Sequence, residues 1–68
     1  MLREQIGAEL RAIRQERGLS IRALAERTGI GYAHISRVEN GTYNIRLDII
    51  ERLLAGLNAE LKIEARSE

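Results

Sequence analysis

Leu24-Ala25-Glu26-Arg27-Thr28-Gly29-Ile30-Gly31-Tyr32-Ala33-His34-Ile35-Ser36-Arg37-Val38 is the stretch that decides the fold. Two short helices that cross steeply need a small residue where their backbones approach, and Ala25 supplies one. The turn between them needs a residue that accepts positive φ, and Gly29 supplies that. Leu24 before the turn and Ile30, Ile35 and Val38 after it are the apolar side chains that hold the second helix against the first. The opposite face of that second helix stays in water, so the spacing reads as a helix-turn-helix.

Outward from this pair, Leu2, Ile6, Leu10 and Ile13 fall on one stripe at helical spacing. They predict a first helix over residues 3–17, stopped by Gly18. Ser20 reads as the N-cap of the second helix, over 21–28, which Gly29 ends. The third runs from about Tyr32 to Glu39 and closes on Asn40-Gly41, a pair suited to left-handed backbone. Leu47, Ile50, Leu53, Leu54 and Leu57 mark a fourth, entered through the polar loop Thr42-Tyr43-Asn44 and terminated near Asn58. From Glu60 to Arg66 polar and apolar residues alternate strictly, the pattern of a half-buried strand. No other segment has strand periodicity, so this one needs a partner, most simply the same strand of a second subunit. The expected architecture is an all-α, compact four-helix domain over residues 1–58. A C-terminal strand or tail over 59–68 is expected to pair across a dimer.

Length and composition narrow the function. A chain of 68 residues makes one domain, and at this size folding buries only about 60% of the unfolded surface, so a partner subunit would help. There is no cysteine for a disulfide or thiolate site, and one histidine cannot make a metal centre. No apolar run approaches the roughly 20 residues of a membrane span, and Met1-Leu2-Arg3-Glu4 is not followed by a signal-peptide core. A cytoplasmic protein without cofactor or metal is expected. An enzyme has little behind it: there is no nucleophile-base pair, paired carboxylates in an evident cleft or phosphate-binding glycine loop. Net charge is only +1, but it is unevenly placed. Residues 11–46 carry seven arginines against three glutamates, while the flanks carry four cations against seven acids. Positive potential therefore gathers around the helix pair, where it would attract phosphate.

From Leu10 to Leu61 the chain resembles the Xre/Cro family of helix-turn-helix repressors. The resemblance is carried by Ile13-Arg14-Gln15-Glu16-Arg17-Gly18-Leu19-Ser20, Leu24-Ala25-Glu26-Arg27-Thr28-Gly29 and Ile35-Ser36-Arg37-Val38-Glu39-Asn40-Gly41. It implies an all-helical domain that binds operator DNA, usually as a symmetric dimer. It places Gly31, Tyr32, Ala33 and Arg37 at base-reading positions and suggests an ion pair, Arg14 with Glu39, tying the first helix to the end of the third.

Helix geometry supports the reading face independently. At 100° per residue Ile35 and Val38 point inward, which leaves Ala33, Ser36 and Arg37 farthest outward with Tyr32 and His34 on the flanks. Arg37 suits a bidentate pair with guanine, Tyr32 a thymine methyl or a sugar, and Ala33 allows close approach. Phosphate contacts are expected from the start of the second helix, at Ser20 and Arg22, and from the loop residues Asn40, Thr42, Tyr43, Asn44 and Arg46. His34 reads as a solvated side chain near the groove. Ile49, Leu61 and Ile63 are the expected dimer contacts.

The chain departs from the family pattern in three places. Ile21 stands where a polar residue, often glutamine, commonly contacts phosphate. Ile45 stands where the loop often carries proline. The alternating segment replaces the fifth helix of many members and resembles the HipB-type antitoxin subset. The expected function is that of a homodimeric repressor with two third helices in successive major grooves of a palindromic operator. The alternative is an antitoxin that neutralises a toxin protein and uses DNA binding for autoregulation.

Overall fold

A computed structural model describes residues 2–42 and 44–66. Four helices occur among them: α1 (Leu2–Glu16), α2 (Ile21–Thr28), α3 (Tyr32–Asn40) and α4 (Leu47–Gly56). α2 begins where Ser20, in extended backbone, accepts a 3.0 Å hydrogen bond on its Oγ from the Ala23 N–H. The cap satisfies one of the amides that a helix start leaves without a partner. The same helix ends at Gly29, whose φ of 75° lets its N–H return to the Ala25 carbonyl at 2.8 Å. Thr28 braces the turn from within. Its hydroxyl donates to the Leu24 carbonyl at 2.8 Å and accepts from the Ile30 N–H at 3.2 Å. The Ile30 N–H lies in the short turn, and the Thr28 hydroxyl gives it a partner there.

α1 packs on α3, and α2 packs on both α3 and α4. Leu10, Leu24, Ile30, Ile35, Val38, Ile49, Leu53 and Leu57 form the buried core, so all four residues that defined the helix pair in the sequence lie inside. Leu24, Ile35, Val38, Leu53 and Leu57 are almost wholly enclosed, and each such side chain contributes about 1.5–3 kcal/mol of burial free energy. The α1–α3 crossing is close because Gly7 is buried against the end of α3. A Cβ there would overlap the Val38 carbonyl oxygen and come within 2.9 Å of that of Glu39.

The two apolar departures from the family pattern have a packing reason. Ile21 and Ile45 are both half-buried against the core. Ile21 seats the start of α2, and Ile45 pins the α3–α4 loop through side-chain burial rather than through a proline ring.

The expected C-terminal strand is absent. Residues 60–66 have no regular secondary structure, and among the described residues the fold is all-α. Alternation sets which side chains share a face, but a strand exists only when a second backbone completes its ladder. The other long segments are helices that use their amides internally, and residues 60–66 form no ladder with any described residue. α4 instead closes through Leu57 and Asn58, with Asn58 at φ 53° and the Ala59 N–H on the Leu54 carbonyl at 2.9 Å. The segment beyond lines one side of a groove between α1 and α4. Leu61 is half-exposed there and Ile63 is 91% exposed.

Candidate nucleic-acid interface

The exposed face of α3 is set by what its inner face does. Ile35 and Val38 are fully enclosed, which turns Tyr32, Ala33 and Arg37 into solvent beside the exposed Gly31. Ser36 and His34 are half-buried on the flanks of that face. Glu39 points the other way, into a bidentate pair with Arg14. Arg14 Nε lies 2.7 Å from one carboxylate oxygen and Nη2 2.9 Å from the other. Arg14 Nη1 adds a 2.8 Å bond to the Leu19 carbonyl. The hydrogen bond with Glu39 raises the Arg14 pKa above its usual value, burial opposes it, and the nearby negative charge adds to it. The pair locks α3 to α1, and it occupies the carboxylate nearest Arg37 in sequence. Arg37 makes no side-chain hydrogen bond or ion pair with any described residue, so its five donors face water.

The segments beside α3 are fixed as well. Ser20 and Arg22 are exposed at the start of α2; the Ser20 hydroxyl uses an acceptor site for its cap and keeps its proton for an outside partner. Asn40 ends α3 in solvent. Thr42 donates from both its N–H and its Oγ1 to the Arg37 carbonyl, each at 3.3 Å, which keys the loop to the residue at the centre of the exposed face. Asn44 is exposed and accepts a 2.8 Å bond on Oδ1 from Arg3. Arg46 is the α4 N-cap residue, and its guanidinium pairs with Asp48 at 3.2 Å. Tyr43, expected to contact phosphate, lies outside the described residues.

Three features were not legible in the sequence pattern. Arg17 donates to the carbonyls of Leu57 and Asn58 at 3.0 and 3.4 Å, and Arg27 to that of Gly56 at 3.3 Å. They satisfy carbonyls at the end of α4 and favour its negative dipole end. Arg52 likewise donates to Thr28 at the end of α2, at 2.8 Å. Of the seven arginines that made residues 11–46 basic, Arg14, Arg17, Arg27 and Arg46 therefore have donors engaged within the chain. Their charges still add to the local field. Ile49, expected at a dimer contact, is instead a core residue at 9% exposure and packs within its own chain. Among the described residues no helix is long and apolar enough to cross a membrane.

Comparisons with known proteins agree with this geometry. A profile of the family described as "Helix-turn-helix domain" matches residues 5–65. The HTH-type transcriptional repressor RghR of Bacillus subtilis is 50% identical over 38 residues, which are 56% of this chain; the chain spans 28% of that relative's length. Among solved structures, the clp gene regulator ClgR from C. glutamicum superposes with a TM-score of 0.83 at 30% identity, covering 88% of this chain and 78% of that one. The restriction-modification controller protein C.AhdI from Aeromonas hydrophila gives 0.80 at 33%, covering 84% and 83%. The exposed face of α3, the braced turn at Gly29 and the match along nearly the whole chain have one reading: this chain belongs to the helix-turn-helix domain family, in its Xre type.

Proposed function

We propose that the chain is a sequence-specific, double-stranded-DNA-binding transcriptional repressor, acting as a homodimer that lays α3 of each copy in successive major grooves. In this arrangement the two helices sit about 34 Å apart on a palindromic operator. The observation that carries the reading is Arg37: an exposed residue whose guanidinium has no described intrachain partner, on a helix whose other face is locked to α1 and the core. Arg37 reads a guanine through O6 and N7, Tyr32 contacts a thymine methyl or a sugar, and Gly31, Ala33 and Ser36 let the helix approach the base edges. Ser20, Arg22, Asn40, Thr42, Tyr43, Asn44 and Arg46 supply the contacts that position the duplex. Repression is the activity named for the Bacillus relative.

Support for a second copy comes from the apolar surface on the α1–α4 side. Leu2 and Leu47 are 68% and 77% exposed, and Leu61 and Ile63 lie on the rim of the same groove. So many large apolar side chains around one groove on a small domain mark a contact surface.

Selection of bound duplexes from a random pool tests the reading, because it reports half-site symmetry, spacing and base preference together. A palindromic consensus with half-sites one helical turn apart is expected. Arg37→Ala should weaken binding to that consensus by about 1–3 kcal/mol and relax preference at one base pair per half-site. An Arg37→Ala protein with wild-type affinity and selectivity would remove the assignment.

A further inference from the structure

We propose that Arg3, at the start of α1, is a phosphate-positioning residue of the DNA interface, acting together with Asn44. The inference rests on the reading of α3 as the base-contacting helix and adds an element from the far end of the chain.

Three observations lead to it. First, Arg3 is misplaced for the stability of its own helix. It stands in the first turn of α1, where the positive end of the helix dipole disfavours a cation. A residue that opposes local stability is expected to act elsewhere. Second, its Nη1 donates at 2.8 Å to Asn44 Oδ1, an exposed contact between residues 41 apart in sequence. An amide whose oxygen is already engaged turns its two N–H donors away from that partner. The bond therefore orients Asn44 as a donor, the form a phosphate oxygen needs. Third, Arg46, the cation that the sequence assigned to this loop, has its guanidinium engaged by Asp48 at 3.2 Å. Arg3 is bonded to a neutral amide oxygen, which leaves its charge on the surface of the loop. The approach of α1 to the α3–α4 connection is fixed by packing, since a Cβ on Gly41 would stand 2.7 Å from the Glu4 Cα. Arg3 and the loop thus keep their relation as the protein docks.

Arg3 and Asn44 together form a small cationic donor cluster on the α3–α4 loop, next to Leu2 and Leu47 at the α1–α4 surface. Thr42 ties that loop to the Arg37 carbonyl, and the cluster is directed at one backbone phosphate per half-site. Such a contact carries no sequence information and releases counterions, so it is visible in the salt dependence of binding.

The test is equilibrium binding of the full chain to the selected consensus duplex and to a scrambled duplex across a salt series. It uses wild type, Arg3→Gln, Arg3→Lys and Arg37→Ala, each checked for an unchanged helical spectrum. Arg3→Gln keeps a donor for Asn44 but loses the charge. It should flatten the slope of log affinity against log salt by about 0.9 per protomer and weaken both duplexes alike. Arg3→Lys should restore the slope. An Arg3→Gln slope equal to wild type, with Arg37→Ala still losing selectivity, overturns the role of Arg3 and leaves the α3 reading standing. A wild type that binds neither duplex overturns both. A loss of selectivity in Arg3→Gln, with its slope unchanged, also overturns the proposal.

Discussion

Alanine at position 7 should destabilise the domain, although glycine-to-alanine exchange inside a helix ordinarily does the reverse. In an unobstructed helix interior the exchange gains about 0.5–1 kcal/mol, because glycine loses more chain entropy on folding. Gly7 lies mid-helix in α1, so helix propensity alone predicts a more stable protein. The structure reverses the sign. The added Cβ would overlap the Val38 carbonyl oxygen and approach that of Glu39 to 2.9 Å, where carbon rarely comes nearer than about 3.3 Å to such an oxygen. Both obstacles are backbone atoms of α3, so no side chain can rotate out of the way; α1 must lift or α3 must shift. Overpacking of this kind costs about 1–3 kcal/mol, and in a domain of this size each kcal/mol lowers the melting temperature by about 4–8 °C. Thermal unfolding followed by circular dichroism reads the effect directly. A Gly7→Ala protein that melts at or above wild type would refute the claim that this crossing is set by backbone contact.

The buried pair gives a second test. Glu39→Gln leaves the Arg14 charge enclosed with a neutral partner and should cost about 3–5 kcal/mol in urea unfolding, whereas Arg14→Met with Glu39→Leu should be more stable than Glu39→Gln. Because the folded-state pKa of Arg14 is raised, the contribution of the pair is fully present below the ordinary arginine pKa and fades only as pH climbs through the folded value. In the wild type, urea unfolding should therefore show no loss of the pair's contribution through titration of Arg14 between neutral pH and about pH 10. On the exposed face, Tyr32→Ala should shift stability by no more than about 0.5 kcal/mol while weakening operator binding. A large drop in melting temperature would show that Tyr32 belongs to the core instead.

The helices were legible because their signals are local. The Leu2, Ile6, Leu10, Ile13 stripe, the Ser20 cap and the Gly29 turn each lie within one element or its edge, and the boundaries they predict are met to within about two residues. With Ile35 and Val38 inward, the period put Ala33, Ser36 and Arg37 outermost with Tyr32 and His34 on the flanks; Ala33 and Arg37 are exposed, as is Tyr32, whereas Ser36 is half-buried. What escaped the sequence is non-local. Gly7 looks like a weak point in a helix until α3 is laid against it. Arg17 and Arg27 count as part of a basic surface until the end of α4 takes their donors. The Arg14–Glu39 pair had no local signal, and only likeness to a family suggested it. The alternation over residues 60–66 misled for a related reason, since a two-residue period is compatible with a strand but does not supply the neighbour that makes one.

These non-local contacts share a direction. α3 has nine residues, too few for a helix to persist by itself in water, so its shape and pose must come from its neighbours. Gly7 seats its last turn, the Glu39 carboxylate is clamped by Arg14, and the hydroxyl of Thr28 braces the turn that leads into it. Every one of these restraints acts on the inner face, the turn or the C-terminal end. The exposed face that carries Tyr32, Ala33 and Arg37 supplies none of them. The restraints on α3 and its exposed residues thereby lie on different sides of one short helix. If the exposed side reads bases as proposed, substitutions there should change base preference without loosening the pose of α3.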